Sequence, residues 1–173
     1  MDEPTIDTTI PDIIPDPAVF DADGAFWLRA AQAAIRRECG WHVMPNVILS
    51  GAVNSRGGRI IRLPARHITA IDSLTDKAGN PLSYAYDPET GLVETTGRPF
   101  PVGIAAIRYV IHAGYDDCQD VQGVLINAAK RASMASAGVV QSQSVNGSSV
   151  KYNVTLMDSE LAKLRHYKLG TMP

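Results

Sequence analysis

The spacing of apolar residues changes twice along this chain, and this double change constrains the fold more than any other feature. Apolar residues recur with the period of an amphipathic helix in residues 22–39 and again in residues 118–137. Between them, residues 47–112 show the short alternating runs that are typical of β-strands. This order predicts an α+β fold, in which two long helices and a short C-terminal helix pack with a small antiparallel β-sheet.

The first helical segment is rich in alanine and has one apolar face. The residues predicted to share that face are Leu28, Ala31, Ile35 and Cys39. The polar residues placed opposite are Arg29, Gln32 and Arg36. Gly40 follows directly and is a typical helix stop. Small side chains let another backbone come close, so this segment is predicted to pack against a second helix.

The middle of the chain contains runs that are predicted as strands at about 59–63, 67–74, 92–96 and 104–112. A turn is predicted before the third run, because Gly79 and Asn80 tolerate positive φ and Pro81 blocks continuation of a strand. The last two runs are predicted to pair as a hairpin across the Gly- and Pro-rich residues between them. Apolar residues on both sides of the final run predict a strand that is largely covered.

The second helical segment is predicted to run from about 118 to 137. Asp117 and Asp120 suit its start, where acidic side chains are favoured, and Gly138 suits its end. The predicted apolar stripe consists of Val121, Val124, Leu125, Ala128 and Ala132.

A polar, loop-like stretch follows at residues 138–149. After it, apolar residues alternate with polar ones, which predicts a half-buried strand at about 150–156. The alternating apolar residues are Val150, Tyr152, Val154 and Leu156. A last helix is predicted at about 158–169, with Leu161 and Leu164 on one face.

An acidic, proline-rich arm precedes the first helix, at residues 1–21. Residues 1–23 hold seven of the eighteen acidic residues and no Lys or Arg, so this end carries −7 and the remainder +5. Such a segment buries too little apolar surface to fold alone. It is predicted either to lie on a partner or neighbouring subunit or to stay a solvated tail. The predicted organisation is this arm, a body at 22–137 and a C-terminal part at 138–173.

The residues contain little that resembles catalytic chemistry. Neither a glycine-rich nucleotide-binding motif nor the Gly-x-Ser-x-Gly motif of many hydrolases is present. The four histidines are scattered, without the spacing of metal ligands, so no metal or cofactor is predicted. Cys39 and Cys118 are predicted to be buried free thiols. Asp116 and its neighbours Asp117 and Asp120 are explained more simply by capping of a helix.

The chain also lacks the marks of membrane and nucleic-acid proteins. No apolar run approaches the roughly 18 residues of a membrane span, and residues 1–11 do not resemble a signal peptide. A soluble protein made in a cytoplasm is therefore expected. The cluster Arg56, Arg59, Arg62 and Arg66 is predicted to lie on a surface or across a protein interface, since the pI is about 6.0. A weak, non-specific contact with DNA phosphates is the alternative.

Short segments of the chain occur in a characteristic order. They are residues 28–42, 60–64, 91–93, 97–101, 112–115, 143–150 and 159–168. The first ends in Cys-Gly-Trp-His and the second in Leu-Pro. The segment at 112–115 reads His-Ala-Gly-Tyr, and the one at 143–150 is rich in Ser and Gly. In this order and spacing, over about residues 25–169, the chain resembles the head-to-tail adaptor proteins of long-tailed bacteriophages. That family often has proline in the first turn of both later helices, where this chain has Cys118 and Asp158.

The resemblance implies a structural protein of the virion neck. Such adaptors form a ring, usually twelve-fold, under the portal at the capsid vertex. They join the portal to the next tail-completion or stopper protein, DNA passes through the centre, and neither catalysis nor a cofactor is expected.

The loop at 138–149 and the segment after it are the candidates for docking to partners. The candidate interface residues are Gln143, Ser144, Val145, Asn146, Gly147, Val150, Tyr152, Leu161, Leu164, Tyr167 and Lys168. For Leu161, Leu164 and Tyr167, packing on the protein's own body is the alternative. Two other functions remain open: a different neck protein such as a stopper, and a small hydrolase using His112 with Asp116 or Asp117.

Overall fold

Both predicted long helices form, and six strands lie between them along the chain. A computed structural model describes residues 10–14, 22–139 and 154–170. The helices are α1 (Ala22–Cys39), α2 (Gln119–Val139) and α3 (Asp158–Leu164), and a 3-10 turn follows at Arg165–Tyr167. The strands are β1 (Val47–Arg56), β2 (Ile60–Arg62), β3 (Ile68–Asp76), β4 (Tyr84–Asp87), β5 (Leu92–Thr95) and β6 (Val102–Ala113). The α+β class is confirmed.

The chain divides into two compact units. The strands belong to a unit built on Gly40–Asp117, here called the sheet unit. The helices belong to a unit made of Asp12–Cys39 and Cys118–Lys168, here called the helical unit.

In the helical unit, α1 begins and ends at the predicted residues and packs against α2. Its four predicted face residues are all buried, and small residues on both helices, such as Ala31 and Ala128, are buried with them. Gln32 was placed on the polar side and is buried instead. The reason is that its Oε1 accepts a hydrogen bond from the backbone N–H of Ile13 at 2.6 Å, while its Nε2 donates to Asp12 at 2.8 Å. Ile13 is buried as well, so residues 12–14 of the arm are packed on α1.

The second helix departs from the prediction only at its end. The apolar stripe is buried from Val121 to Ala129, and Ala132 is half-buried. The helix continues through Gly138 to Val139, so glycine does not stop it there. Glycine lowers helix stability by only about 1 kcal/mol relative to alanine, which does not by itself end a helix.

In the sheet unit, the first sheet has the order β1-β6-β3, with both pairs antiparallel. The long strand β6 lies in the middle. One of its faces is buried at Ile107, Tyr109 and Ile111, whereas Ile104 and Arg108 on the other face are exposed, so the prediction of a largely covered strand holds for one face. In the register of β1, Val47 is opposite Ala113 and Arg56 is opposite Val102. Strand β3 pairs with β6 only from Ala113 back to Ile107. The first residues of β6 therefore have β1 as their single neighbour in this sheet.

The second sheet has the order β2-β5-β4 and is also antiparallel. Val93 of the central strand is fully buried and lies opposite Ile61 on one side and Tyr86 on the other. The predicted turn before β4 is confirmed: Asp76 accepts backbone N–H bonds from Ala78 at 2.8 Å and Asn80 at 2.9 Å.

The predicted hairpin between the third and fourth runs is wrong. Those runs are β5 and β6, and they belong to different sheets. The residues between them carry the chain from one sheet to the other, with Phe100 donating to the carbonyl of Gly58 at 3.0 Å. The partner of β6 is β1, a strand that the sequence did not predict because Gly51 and polar residues interrupt its pattern. Gly51 is needed there, since an added Cβ would lie 2.6 Å from the phenol oxygen of Tyr109.

Two further differences concern short segments. Strand β4 was not predicted, because four residues give too little pattern to recognise. The strand expected at 150–156 lies partly outside the described residues, and its described part, residues 154–156, has no strand structure. Val154 is nevertheless buried.

Candidate assembly surfaces

Two segments that carry the family resemblance meet at one end of the first sheet. They are the turn after α1, Gly40–Pro45, and the exit of β6, Ala113–Tyr115, and together they are called the corner here. Tyr115 donates its backbone N–H to Val43 at 2.9 Å, and Gly114 donates to His67 at 3.2 Å. The Tyr115 ring stacks on the His67 ring with centroids 4.1 Å apart.

Two residues of the corner, Gly114 and His42, are fixed by their surroundings, the first by lack of space and the second by hydrogen bonds. An added Cβ at Gly114, whose φ is +118°, would lie 2.3 Å from the Pro45 carbonyl oxygen and 2.7 Å from His42 Nε2. His42 is buried, and its Nε2 lies 3.0 Å from the carbonyl oxygens of both Pro45 and Ala113. Both partners are acceptors, so Nε2 must carry the hydrogen. The histidine and glycine that looked like family motifs thus fix the fold.

The opposite end of the β1–β6 pair is exposed and basic. We call it the tip and define it by Arg56, Arg59, Arg98, Val102 and Ile104. Its apolar residues are the most exposed large ones in the described chain, Val102 at 77% and Ile104 at 82%.

Backbone contacts bring the arginines of the tip together. Arg56 lies opposite Val102 in the register, and the Arg59 guanidinium donates to the carbonyls of Thr95 at 3.0 Å and Gly97 at 3.4 Å. Arg98 is next to Gly97, and its carbonyl accepts the Thr95 hydroxyl at 2.8 Å. Residues 47–71 and 95–115 hold six arginines and no Asp or Glu. The carboxylate nearest in sequence to a tip residue is that of Glu94, which precedes Arg98 in the chain and lies opposite Ile60.

The third surface is the C-terminal segment of the helical unit, residues 154–168. Arg131 of α2 binds Glu160 through two nitrogens, at 3.0 and 2.7 Å, and also donates to the carbonyl of Thr155 at 3.1 Å. Glu160 in turn accepts the backbone N–H of Met157 at 2.8 Å. Burial raises the pKa of Glu160, but the hydrogen bonds from Arg131 and Met157 outweigh it, so the pKa is lowered.

Further contacts hold the same segment to the long helices. The Tyr167 hydroxyl donates to Asp120 at 2.8 Å, and burial together with that carboxylate raises the tyrosine pKa. Lys168 forms an ion pair with Glu38 of α1. Leu164 is fully buried, Tyr167 is buried and Leu161 is half-buried. Leu164 and Tyr167 are therefore packed on the protein's own body, which was the alternative stated for them. A role in an interface stays a prediction for Leu161, Leu164, Tyr167 and Lys168.

The remaining candidate interface residues lie outside the described part of the chain. They are Gln143, Ser144, Val145, Asn146, Gly147, Val150 and Tyr152. Their role also stays a prediction. For the tip, the sequence predicted that Arg56 and Arg59 lie on a surface or across a protein interface, but it did not bring them together with Arg98, Val102 and Ile104.

The chemistry of the described side chains offers no clear reaction centre. His112 Nε2 lies 2.9 Å from Asp72, so its carboxylate partner is neither Asp116 nor Asp117. Among residues 10–14, 22–139 and 154–170, no three His, Cys, Asp or Glu side chains are grouped to hold a metal ion. Both cysteines are free and buried, as predicted, and burial with the nearby Glu38 raises the pKa of Cys39 to about 12. Within the described ranges, no helix is both long and apolar enough to span a membrane.

Comparison with known proteins gives matches only among solved structures, because no family model and no curated protein matches the chain. A chain in the neck of a native gene transfer agent (GTA) particle, computed with C12 symmetry, matches with a TM-score of 0.53 at 18% identity, covering 90% of this chain and 87% of that chain. A chain in the neck of an empty GTA particle, computed with C6 symmetry, matches with a TM-score of 0.51 at 18% identity, covering 89% and 81%.

A third structure, the virion of a native GTA particle, contains a chain that matches with a TM-score of 0.50 at 19% identity, covering 88% of this chain and 80% of that chain. At these identities the matches show a shared fold. The fold is therefore that of a chain found in the neck of GTA particles, over nearly the whole length of this protein.

Proposed function

We propose that this chain is a structural neck protein of a phage-like particle, and that its copies form a ring between the capsid portal and the tail. The observation that carries the proposal is the fold match to a neck chain of a GTA particle, which covers 90% of this chain and 87% of that chain. The ordered sequence motifs independently resemble head-to-tail adaptors, and both lines lead to the same place in a virion.

The surfaces of the chain fit a head-to-tail assembly. A closed ring of identical subunits needs two different complementary surfaces on each subunit. The tip offers exposed apolar and basic residues, whereas the arm at residues 1–21 is acidic. Within the sheet unit, the corner supplies fixed structure from which the tip can be presented.

The finer assignment is that of an adaptor. In it, a ring with twelve copies binds the portal on one side and a tail-completion or stopper protein on the other, and DNA passes through the centre with only non-specific contacts. The protein would be made in the bacterial host cytoplasm and reside in the virion neck. The proposal includes neither catalysis nor a cofactor.

The portal side of this proposal lies in the C-terminal part of the chain. The polar residues 138–149 connect α2 to a segment that is held on the long helices by the Arg131–Glu160 pair and by Lys168 with Glu38. Side-chain contacts of this kind can be exchanged for contacts with a partner more readily than a buried core can. We expect Leu161 and Lys168 to contribute to that surface.

Electron microscopy of the purified protein, mixed with the portal protein of the same particle, tests the assignment. The expected result is a ring of this chain on one face of the portal. A variant lacking residues 138–149 should lose portal binding, and Lys77→Glu, an exposed change in the turn before β4, should keep it. Binding to tail components but never to the portal would favour a stopper-type protein instead.

A further inference from the structure

We propose that the tip binds the acidic residues 1–9 of a neighbouring copy of this chain. The inference rests on the proposed function to the extent that a ring places copies side by side. It concerns the contact between subunits, whereas the proposed function concerns the portal.

The tip has the composition of a binding surface rather than of a solvated strand end. Val102 and Ile104 expose 77% and 82% of their surface, next to three arginines. Apolar residues that are exposed side by side and flanked by polar residues are a common mark of an interaction site. No described residue of this chain covers Val102 or Ile104.

The backbone at the tip is shaped so that these side chains stay exposed. The register of β1 and β6 shifts between Val53 and Ser55, and Ala105 takes a φ of +50° there. Its N–H is held by the Asn54 side chain at 2.8 Å. A bulge of this type re-aims side chains at a sheet end.

The arm has the complementary composition. Residues 1–9 contain Asp2, Glu3 and Asp7 without a basic residue, and Ile6 lies between the acidic positions. An acidic segment that contains an aliphatic residue suits a surface that mixes arginines with aliphatic residues, because both charge and apolar area are complementary.

The attachment of the arm supports binding at a distance from its own helix. Asp12 and Ile13 are hydrogen-bonded to Gln32 of α1, so the arm is held at that point. The carboxylate of Asp12 also interacts electrostatically with Arg36, so this part of α1 already has an acidic neighbour. From Ile10, nine residues reach about 30 Å when extended, so the arm can bind well beyond the point where Asp12 and Ile13 hold it. Arm and tip are different surfaces, as a head-to-tail contact requires.

Cross-linking between two full-length variants tests the inference. One variant carries Thr5→Cys in the arm and the other carries Val102→Cys at the tip; Cys39 and Cys118 are buried and serve as silent background. Under mild oxidation at low salt, an equimolar mixture should form a disulfide-linked heterodimer, detected by non-reducing electrophoresis and mass spectrometry. Replacing Val102→Cys by Ala78→Cys, an exposed position in the turn before β4, gives the matched control.

Charge reversal then identifies the cause. Adding Arg56→Glu and Arg98→Glu to the Val102→Cys variant should lower the heterodimer yield about tenfold, and raising the salt concentration should lower the yield of the unmodified pair, because exposed charges are screened. Lys77→Glu should leave the yield unchanged.

Two outcomes would overturn the inference. One is a heterodimer yield no higher than that of the Ala78→Cys control. The other is a Thr5→Cys/Val102→Cys double variant that cross-links within its own chain while the mixture does not cross-link. Portal binding of the same samples is scored separately by electron microscopy, so a ring on the portal without the cross-link refutes the arm contact and leaves the proposed function standing.

Discussion

The two ends of the β1–β6 strand pair differ in almost every respect. At the corner, Gly114 and His42 are buried and bound by backbone carbonyls. At the tip, Val102 and Ile104 are exposed, a bulge breaks the register, and arginines gather without carboxylates.

The difference separates the part of the strand that folding requires from the part that we propose to serve assembly. The corner has so many fixed contacts that a single added methyl group has no room, whereas the tip has few contacts that folding requires. Sequence motifs at the corner are thus explained by the fold, and residues at the tip are free to serve partners. Substitutions at the two ends should therefore differ in their effects on stability and on assembly.

The largest effect is expected from the same substitution placed at each end. Gly114→Ala forces a Cβ to within 2.3 Å of the Pro45 carbonyl at a φ of +118°. We expect a loss of more than about 3 kcal/mol in the free energy of unfolding. Gly103→Ala, at a φ of +144° but with its nearest contact at 3.9 Å, should cost only about 1–2 kcal/mol. Urea unfolding followed by circular dichroism measures both, and equal losses would mean that the corner is not the more constrained end.

A smaller loss is expected from removing a histidine. His42→Ala leaves the buried carbonyls of Pro45 and Ala113 without the imidazole N–H that both share. We expect a loss of about 2–3 kcal/mol in the free energy of unfolding.

His112→Ala is the matched control, because that histidine lies on the first sheet and its imidazole hydrogen-bonds the half-exposed Asp72. It should cost less than about 1 kcal/mol. It should also leave assembly intact, whereas a loss of some hydrolytic activity would revive the enzyme hypothesis.

The C-terminal segment should respond to pH. The pKa of Glu160 is lowered in the folded protein, so its ionised form contributes stability above the unfolded pKa, and this contribution is lost as pH falls through the folded pKa. Glu160→Gln should remove it at neutral pH, with a loss of about 2 kcal/mol that loosens residues 154–168 first. Amide hydrogen exchange should show faster exchange in this segment and no change at the corner. Asp158→Asn, an exposed neighbour, is the control.

The smallest effect on stability is expected at the tip. Ile104→Ser removes an aliphatic side chain that is 82% exposed, so the free energy of unfolding should change by no more than about 0.5 kcal/mol. The arm-to-tip cross-link should nevertheless fall. Ile111→Ser on the same strand, where the side chain is fully buried, should destabilise the fold strongly. A stability loss at Ile104 as large as that at Ile111 would contradict the separation of the two ends.

The local elements of this fold were predictable from the sequence, because they depend on neighbouring residues. The face of α1 is set by spacing within the helix, and the turn after β3 by Gly79, Asn80 and Pro81 themselves. Gln32, which was predicted on the polar side of α1, is buried by partners that lie in the arm.

The pairing of strands was not predictable in the same way. The sequence of residues 97–101 suits both a hairpin and a connection between two sheets. The second occurs here because β1, and not β5, pairs with β6. That strand escaped recognition because Gly51 makes room for the Tyr109 ring, a requirement that its own neighbours in sequence do not show. The tip is a product of the same pairing, so its apolar and basic residues could not be placed together beforehand.

We propose that copies of this chain assemble as a ring on a portal. Native mass spectrometry of the protein alone and with the portal protein of the same particle tests it most directly. The expected result is a complex in which many copies, twelve for the adaptor assignment, are bound to one portal ring. A chain that leaves the portal mass unchanged at every concentration and salt condition would contradict it.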